Sequence, residues 1–215
     1  MEINFLYTAD NVYFDLMRLS MISAVKFHKG AVFHVFTMDS PETRQVQISI
    51  KNKQKLEREI TYLDPIAKII FYDVRETYLQ RLADSVNKGS KFTPYAVLRL
   101  LAPYIIHDVD MPLYLDADAV VVNSLCELFI DHEGKDFDFA ATNNIYRYPV
   151  PDYFVFLSWL LLLNLRYQRQ TGYQFMNDAI RHYNSTVYPF PDQDALSAAT
   201  PVARIILDGR HLQYV

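Results

Sequence analysis

Leu113-Tyr114-Leu115-Asp116-Ala117-Asp118 is the stretch on which the fold of this chain turns. A short apolar strand runs straight into two carboxylates. In an extended chain residues i and i+2 project to the same side, so Asp116 and Asp118 are expected to converge. Two carboxylates that close repel each other unless positive charge sits between or beside them. A hard divalent cation shared with a phosphate meets that need, because Mg²⁺ and Mn²⁺ prefer oxygen ligands. The same six residues also read as a polar turn with both aspartates in water, and the motif alone does not choose.

Outward from the motif, strand-like and helical patterns alternate. Residues 3–8, 31–36 and 67–71 are apolar runs of strand length, and residues 119–122 are expected to form one more short strand after the carboxylates. Between them, Leu16, Leu19, Ser23 and Phe27 fall on one side of a helix, and a charged helical segment surrounds Lys55-Leu56-Glu57-Arg58. Thr93-Pro94 opens another helix with a hydroxyl N-cap and proline at the first helical position. That helix carries Val97, Leu100, Leu101 and Tyr104 inward and is expected to kink or end at Pro103. Such alternation predicts a mainly parallel, helix-covered α/β sheet with its ligand sites beyond the strand C-termini.

Composition narrows the function. The 215 residues are 51% apolar and 21% charged, enough for one ordinary domain with a real core. A net charge of −4 argues against a nucleic-acid binder held by phosphate neutralisation. Cys126 is the only cysteine, which excludes an internal disulfide and a cysteine-based zinc site; in its apolar helix start it is expected to be a buried thiol. His28, His34, His107, His132 and His182 have no metal-ligand spacing, and five glycines form neither a Gly-x-Gly-x-x-Gly nor a P-loop pattern. The N-terminus lacks a signal-peptide pattern, and the longest apolar run, residues 153–163, is about half a membrane helix, so a soluble, cytoplasmic protein is expected.

Two further patterns carry candidate chemistry. Asp192-Gln193-Asp194 follows Pro189-Phe190-Pro191 and also fits an acidic first helical turn. Thr8-Ala9-Asp10-Asn11-Val12-Tyr13 follows the first strand and also fits a plain turn. Taken in order with Tyr114-Leu115-Asp116-Ala117-Asp118, these motifs resemble the family 8 retaining glycosyltransferases of the GT-A fold, the group of the bacterial lipooligosaccharide galactosyltransferases, related to glycogenin. The resemblance spans the chain from Met1 to about Val215 as a single domain of residues 1–215.

The resemblance implies a GT-A fold, a mixed and mainly parallel sheet flanked by helices, and transfer of glucose or galactose from a UDP-sugar to a hydroxyl with retention of configuration. It implies that Thr8, Ala9, Asp10 and Tyr13 hold the uridine, Asp10 on the uracil edge and Tyr13 on its face. Asp116 and Asp118, flanking Ala117, would bind Mn²⁺ or Mg²⁺, and Asp116 would also reach the ribose. Arg99 would tie to the nucleotide-sugar site. Asp192 and Gln193 would contact the donor sugar beside the anomeric carbon, with Gln193 stabilising the cationic sugar by its dipole. Asn143 falls where the family faces the sugar. The acceptor would be a glycan or lipid-linked saccharide, reached by peripheral association with the inner face of the membrane.

Two departures qualify it. Where the family carries an amide and a glycine beside the donor sugar, this sequence has Leu157 and Trp159, and an indole there is expected to fill sugar space. The C-terminal His-x-x-Gly-x-x-Lys-Pro-Trp motif does not occur, His211 falls too early to replace its histidine, and a missing C-terminal segment is expected. A nucleotide-sugar-binding pseudoenzyme is therefore a live alternative. A Mg²⁺-dependent phosphatase of the haloacid-dehalogenase type, which also places Asp-x-Asp after an apolar strand, is a more distant one.

Overall fold

The computed structural model describes residues 1–143, 156–199 and 204–207 of the chain. In order they form β1 (Asn4–Thr8), α1 (Phe14–Phe27), β2 (Val32–Thr37), α2 (Ile50–Leu63), β3 (Lys68–Asp73) and α3 (Arg75–Arg81). There follow α4 (Pro94–Val97), a 3₁₀ turn at Leu98–Leu101, α5 (Ala102–Ile105), β4 (Leu113–Leu115), α6 (Cys126–Ile130) and β5 (Phe139–Asn143). Then come β6 (Phe156–Leu163), α7 (Leu165–Gln170), α8 (Gln174–Ser185), α9 (Pro191–Ala198) and β7 (Arg204–Leu207).

The strands make one sheet in the order β3-β2-β1-β4-β6-β5-β7. The first four run parallel, β6 is antiparallel to both β4 and β5, and β7 returns parallel to β5. β1 and β2 are buried along almost their whole length, which is why they read as continuous apolar runs rather than alternating ones. The pleat sorts their side chains to two cores. Phe5, Tyr7, Phe33, Val35, Leu113 and Leu115 pack on the face covered by α1 and α2, while Leu6, Phe36 and Tyr114 pack on the other with Tyr95, Leu98 and Phe175. No helix among the described residues is long and apolar enough to cross a membrane.

Four expectations need correction. Leu16, Leu19 and Phe27 do share a side of α1, but it is the solvent side; Phe14, Met17, Met21, Ala24 and Val25 form the buried stripe. The helix opened by Thr93-Pro94 breaks before Pro103, into α4, the 3₁₀ turn and α5, and Tyr104 is only half-buried. Residues 119–122 form no strand; Val121 is tucked in and donates its N–H to Ser23 Oγ at 2.9 Å, and Val120 and Val122 face out. Cys126 is half-buried at the start of α6 rather than enclosed. His211 and residues 144–152 lie outside the described residues.

Candidate active site

The site lies beyond the C-terminal ends of β1 and β4, where an α/β sheet leaves a crevice. A cleft of about 330 Å³ opens there, lined by Thr8, Ala9, Asp10 and Tyr13 from the β1 turn and by Asp116, Ala117 and Asp118 after β4. Arg99, Ser158, Asp192 and Gln193 close its other wall. Ten of the eleven residues singled out from sequence therefore meet in one cleft. Asn143 ends β5 opposite Phe156, and its side chain lies outside the described residues.

Asp10 shapes the first wall. Its Oδ1 accepts N–H bonds from Val12 at 2.9 Å and Tyr13 at 2.8 Å, an Asx-type turn that sets the start of α1. Its Oδ2 accepts from Gln45 Nε2 at 2.7 Å, an interaction no local pattern signalled. Tyr13 precedes the first residue of α1 and keeps its side chain half-exposed at the cleft.

Asp116 and Asp118 share the cleft, although not through strand pleating as expected. β4 stops at Leu115, and Ala119 N–H bonds back to the Asp116 carbonyl at 3.0 Å, so a turn carries the second carboxylate round. The pleat instead pairs Tyr114 with Asp116: the Tyr114 hydroxyl donates to Asp116 Oδ1 at 2.6 Å. Burial raises the Tyr114 pKa well above its usual value, so this donor keeps its proton. Arg99 Nη2 donates to the same Oδ1 at 3.2 Å. Both bonds fall on Oδ1 and leave Oδ2 without a hydrogen bond among the described residues.

Arg99 is the electrostatic centre. It is buried, its guanidinium stacks 4.1 Å from the Tyr114 ring centroid, Nε donates to the Ala96 carbonyl at 2.8 Å, and Nη1 donates to the Ser158 carbonyl. Nη2 also lies 3.4 Å from Asp192 Oδ2. That oxygen is buried without a hydrogen-bond partner among the described residues. Burial raises the Asp192 pKa, and Arg99 opposes the shift. Gln193 is buried beside it, whereas Asp194 turns back to accept from Phe190 N–H at 2.9 Å and caps α9.

Neither Leu157 nor Trp159 lines the cleft. Pairing between β5 and β6 slips from Ala141↔Leu161 to Thr142↔Leu157, so β6 bulges across residues 158–160. The bulge presents the Ser158 carbonyl to Arg99 and the Trp159 carbonyl to Asp116 N–H at 2.9 Å, while the indole packs half-buried against the core on the α1 face. The expected loss of sugar space to the indole is thus not observed.

The donor set suits an oxygen-seeking cation completed by its substrate. Asp116 and Asp118 supply carboxylate oxygens, and no group of three or more His, Cys, Asp or Glu among the described residues could enclose a metal. Mg²⁺-type sites are commonly built this way, from one or two carboxylates plus substrate phosphates and water.

No family model matches the sequence, and no curated protein does. Solved structures do resemble the fold. A galactosyltransferase, LgtC, solved with donor and acceptor sugar analogues, superposes with a TM-score of 0.73 at 20% identity, over 97% of this chain and 74% of its own. The bifunctional glycosyltransferase WbbM gives 0.72 at 16% identity, over 96% of this chain and 38% of its own. Mouse xyloside xylosyltransferase 1 gives 0.65 at 17% identity, over 97% and 86%. The fold is that of the GT-A glycosyltransferases.

Proposed function

We propose that the protein is a family 8-type hexosyltransferase that moves glucose or galactose from a UDP-sugar to a hydroxyl of a glycan or lipid-linked saccharide, with retention and with a divalent cation. The observation that carries this reading is one cleft lined in turn by Asp10 and Tyr13, by Asp116 and Asp118, and by Asp192 and Gln193. These are a base-sized platform, a pair of acidic oxygens and a polar sugar end. Uridine stacks on Tyr13 with its edge toward Asp10. Asp116 and Asp118 hold the cation, Mn²⁺ or Mg²⁺, which when bound would offset the charge growing on the diphosphate. The hexose reaches Asp192 Oδ2, which is ion-paired to Arg99 but has no hydrogen-bond partner among the described residues, and which accepts from a sugar hydroxyl. A cytoplasmic site at the inner membrane face, where a lipid-linked acceptor is met, is part of the same proposal.

In the reaction the acceptor oxygen bonds to the anomeric carbon as the bond to the β-phosphate oxygen breaks. The electron pair leaves with UDP, and the acceptor proton passes to the departing phosphate oxygen. Neither acid of the Asp192-Gln193-Asp194 motif is free to attack that carbon: Asp194 is a helix cap and Asp192 is paired with Arg99. Gln193 supports the cationic sugar through its carbonyl dipole. A covalent sugar trapped on Asp192 would overturn this route. The mixed sheet, with β6 antiparallel beside β4, lends the phosphatase alternative no support.

Calorimetry with UDP and Mn²⁺, beside hydrolysis assays with UDP-glucose and UDP-galactose, tests the reading. Binding with turnover is expected; binding with no turnover of any donor leaves the pseudoenzyme, and no binding defeats both. Tyr13→Ala is expected to weaken UDP binding by about 1–3 kcal/mol, the worth of one aromatic–base stack. An unchanged affinity would put the base elsewhere.

A further inference from the structure

Among the described residues the cleft is short of positive charge: four carboxylates line it, from Asp10, Asp116, Asp118 and Asp192, against two cationic side chains, Arg99 and Lys91. Arg99 is fully committed: its three nitrogens serve Ala96, Ser158, Asp116 and Asp192, its plane lies on Tyr114, and it is 4% exposed. It cannot turn to a ligand without abandoning a buried carboxylate. Lys91 differs in every respect. It is exposed at the rim, and its ammonium sits 5.1 Å from the ring centroids of both Phe92 and Phe190. Those rings are 5.5 Å apart and belong to different segments, one before α4 and one before α9. Two aromatic faces thus hold a long, flexible side chain at a cleft that Asp116 and Asp118 also line.

From this geometry we propose that Lys91 is the diphosphate-binding cation of the site, seated between Phe92 and Phe190 and closing on the phosphates held in the cleft it shares with the two aspartates. The inference rests on the UDP-sugar reading and adds a residue to it. A UDP diphosphate is strongly anionic, and one divalent ion facing two aspartates leaves it undercompensated. A compact, mobile ammonium supplies a point charge that follows the phosphates as the leaving group departs. The aromatic pair explains why an exposed lysine can do this. It removes part of the ordering cost before the ligand arrives.

The test compares wild type, Lys91→Gln and Lys91→Arg by calorimetry with uridine and with UDP, each with Mn²⁺. In Lys91→Gln the UDP affinity should fall about tenfold or more, as expected for loss of a charge-assisted bond, with uridine affinity unchanged. The dependence of UDP affinity on salt should become shallower, and Lys91→Arg should retain most of the wild-type affinity. Equal losses for uridine and UDP would mean that Lys91 only props the Phe92–Phe190 wall, and would overturn the proposal. So would a Lys91→Gln protein that binds UDP as tightly as wild type. Failure of the UDP-sugar reading itself shows separately, as a wild type that does not bind UDP.

Discussion

Arg99→Ala is expected to remove about 3–5 kcal/mol of stability, the cost of leaving a buried carboxylate without its cation. For a chain of this size that is a fall in Tm on the order of 10 °C. The side chains of Arg99 and Asp192 are 5% and 9% exposed, so water cannot take over the abandoned charge. The pH dependence identifies which carboxylate suffers. The folded Asp192 pKa stands above its ordinary value because burial outweighs Arg99. Its contribution to stability is therefore fullest below the ordinary carboxylate value and is lost as pH rises through the raised one. Deleting Arg99 removes the opposing influence and raises the value further. The penalty should be largest at neutral pH and shrink as the solution is acidified, measured by urea unfolding of wild type and variant across the carboxylate range. A penalty independent of pH would show that Asp192 does not depend on Arg99. Pairing Arg99→Met with Asp192→Leu should recover much of the stability, since a buried ion pair is often replaceable by packing. It should recover none of the turnover, because Asp116 Oδ1 loses its guanidinium and the proposed sugar end loses its acceptor.

The same residues show what a sequence reveals of such a site and what it hides. Strands were legible because parallel strands buried on both faces are unbroken apolar runs, as Phe5-Leu6-Tyr7 and Val32-Phe33 are. Helical period placed α1 but not its orientation. Leu16, Leu19 and Phe27 repeat as regularly as Met17, Met21 and Ala24, and only the sheet decides which stripe is covered. Residues 119–122 alternate in burial like a strand yet pair with no strand among the described residues, and pairing is a tertiary event. At the site, three local motifs were readable as candidate carboxylates at element ends. Their wiring was not. Arg99 reaches Asp192 and Asp116 from a broken helix, and the bulge that turns the Ser158 carbonyl toward it follows from how β6 pairs on two sides. One signal was available and passed over. The i, i+2 rule that suggested Asp116 with Asp118 applies more directly to Tyr114 with Asp116, because the strand ends at Leu115 and a turn follows Asp116.

Asp118→Asn isolates the cation as no other change does. Asp118 is exposed in the turn after β4, so the amide should fold as the wild type does, within about 0.5 kcal/mol. Asp116→Asn would be ambiguous, because Oδ1 also anchors Tyr114 and Arg99 and its loss disturbs the floor of the cleft. An amide at position 118 keeps the size and one oxygen but surrenders the charge a hard cation seeks. With only two protein carboxylates in the proposed set, the loss should exceed the 10- to 100-fold typical of outer contacts, so turnover is expected to fall by at least about 100-fold. UDP affinity in Mn²⁺ should drop to the value measured in chelator, while thermal melting stays unchanged. The cation dependence, not the absolute affinity, is the deciding quantity: the proposed stacking on Tyr13 should survive the substitution and leave residual binding. If Asp118→Asn binds UDP with the same Mn²⁺ enhancement as wild type, the second carboxylate is a solvated turn residue, and it is no ligand of the proposed cation.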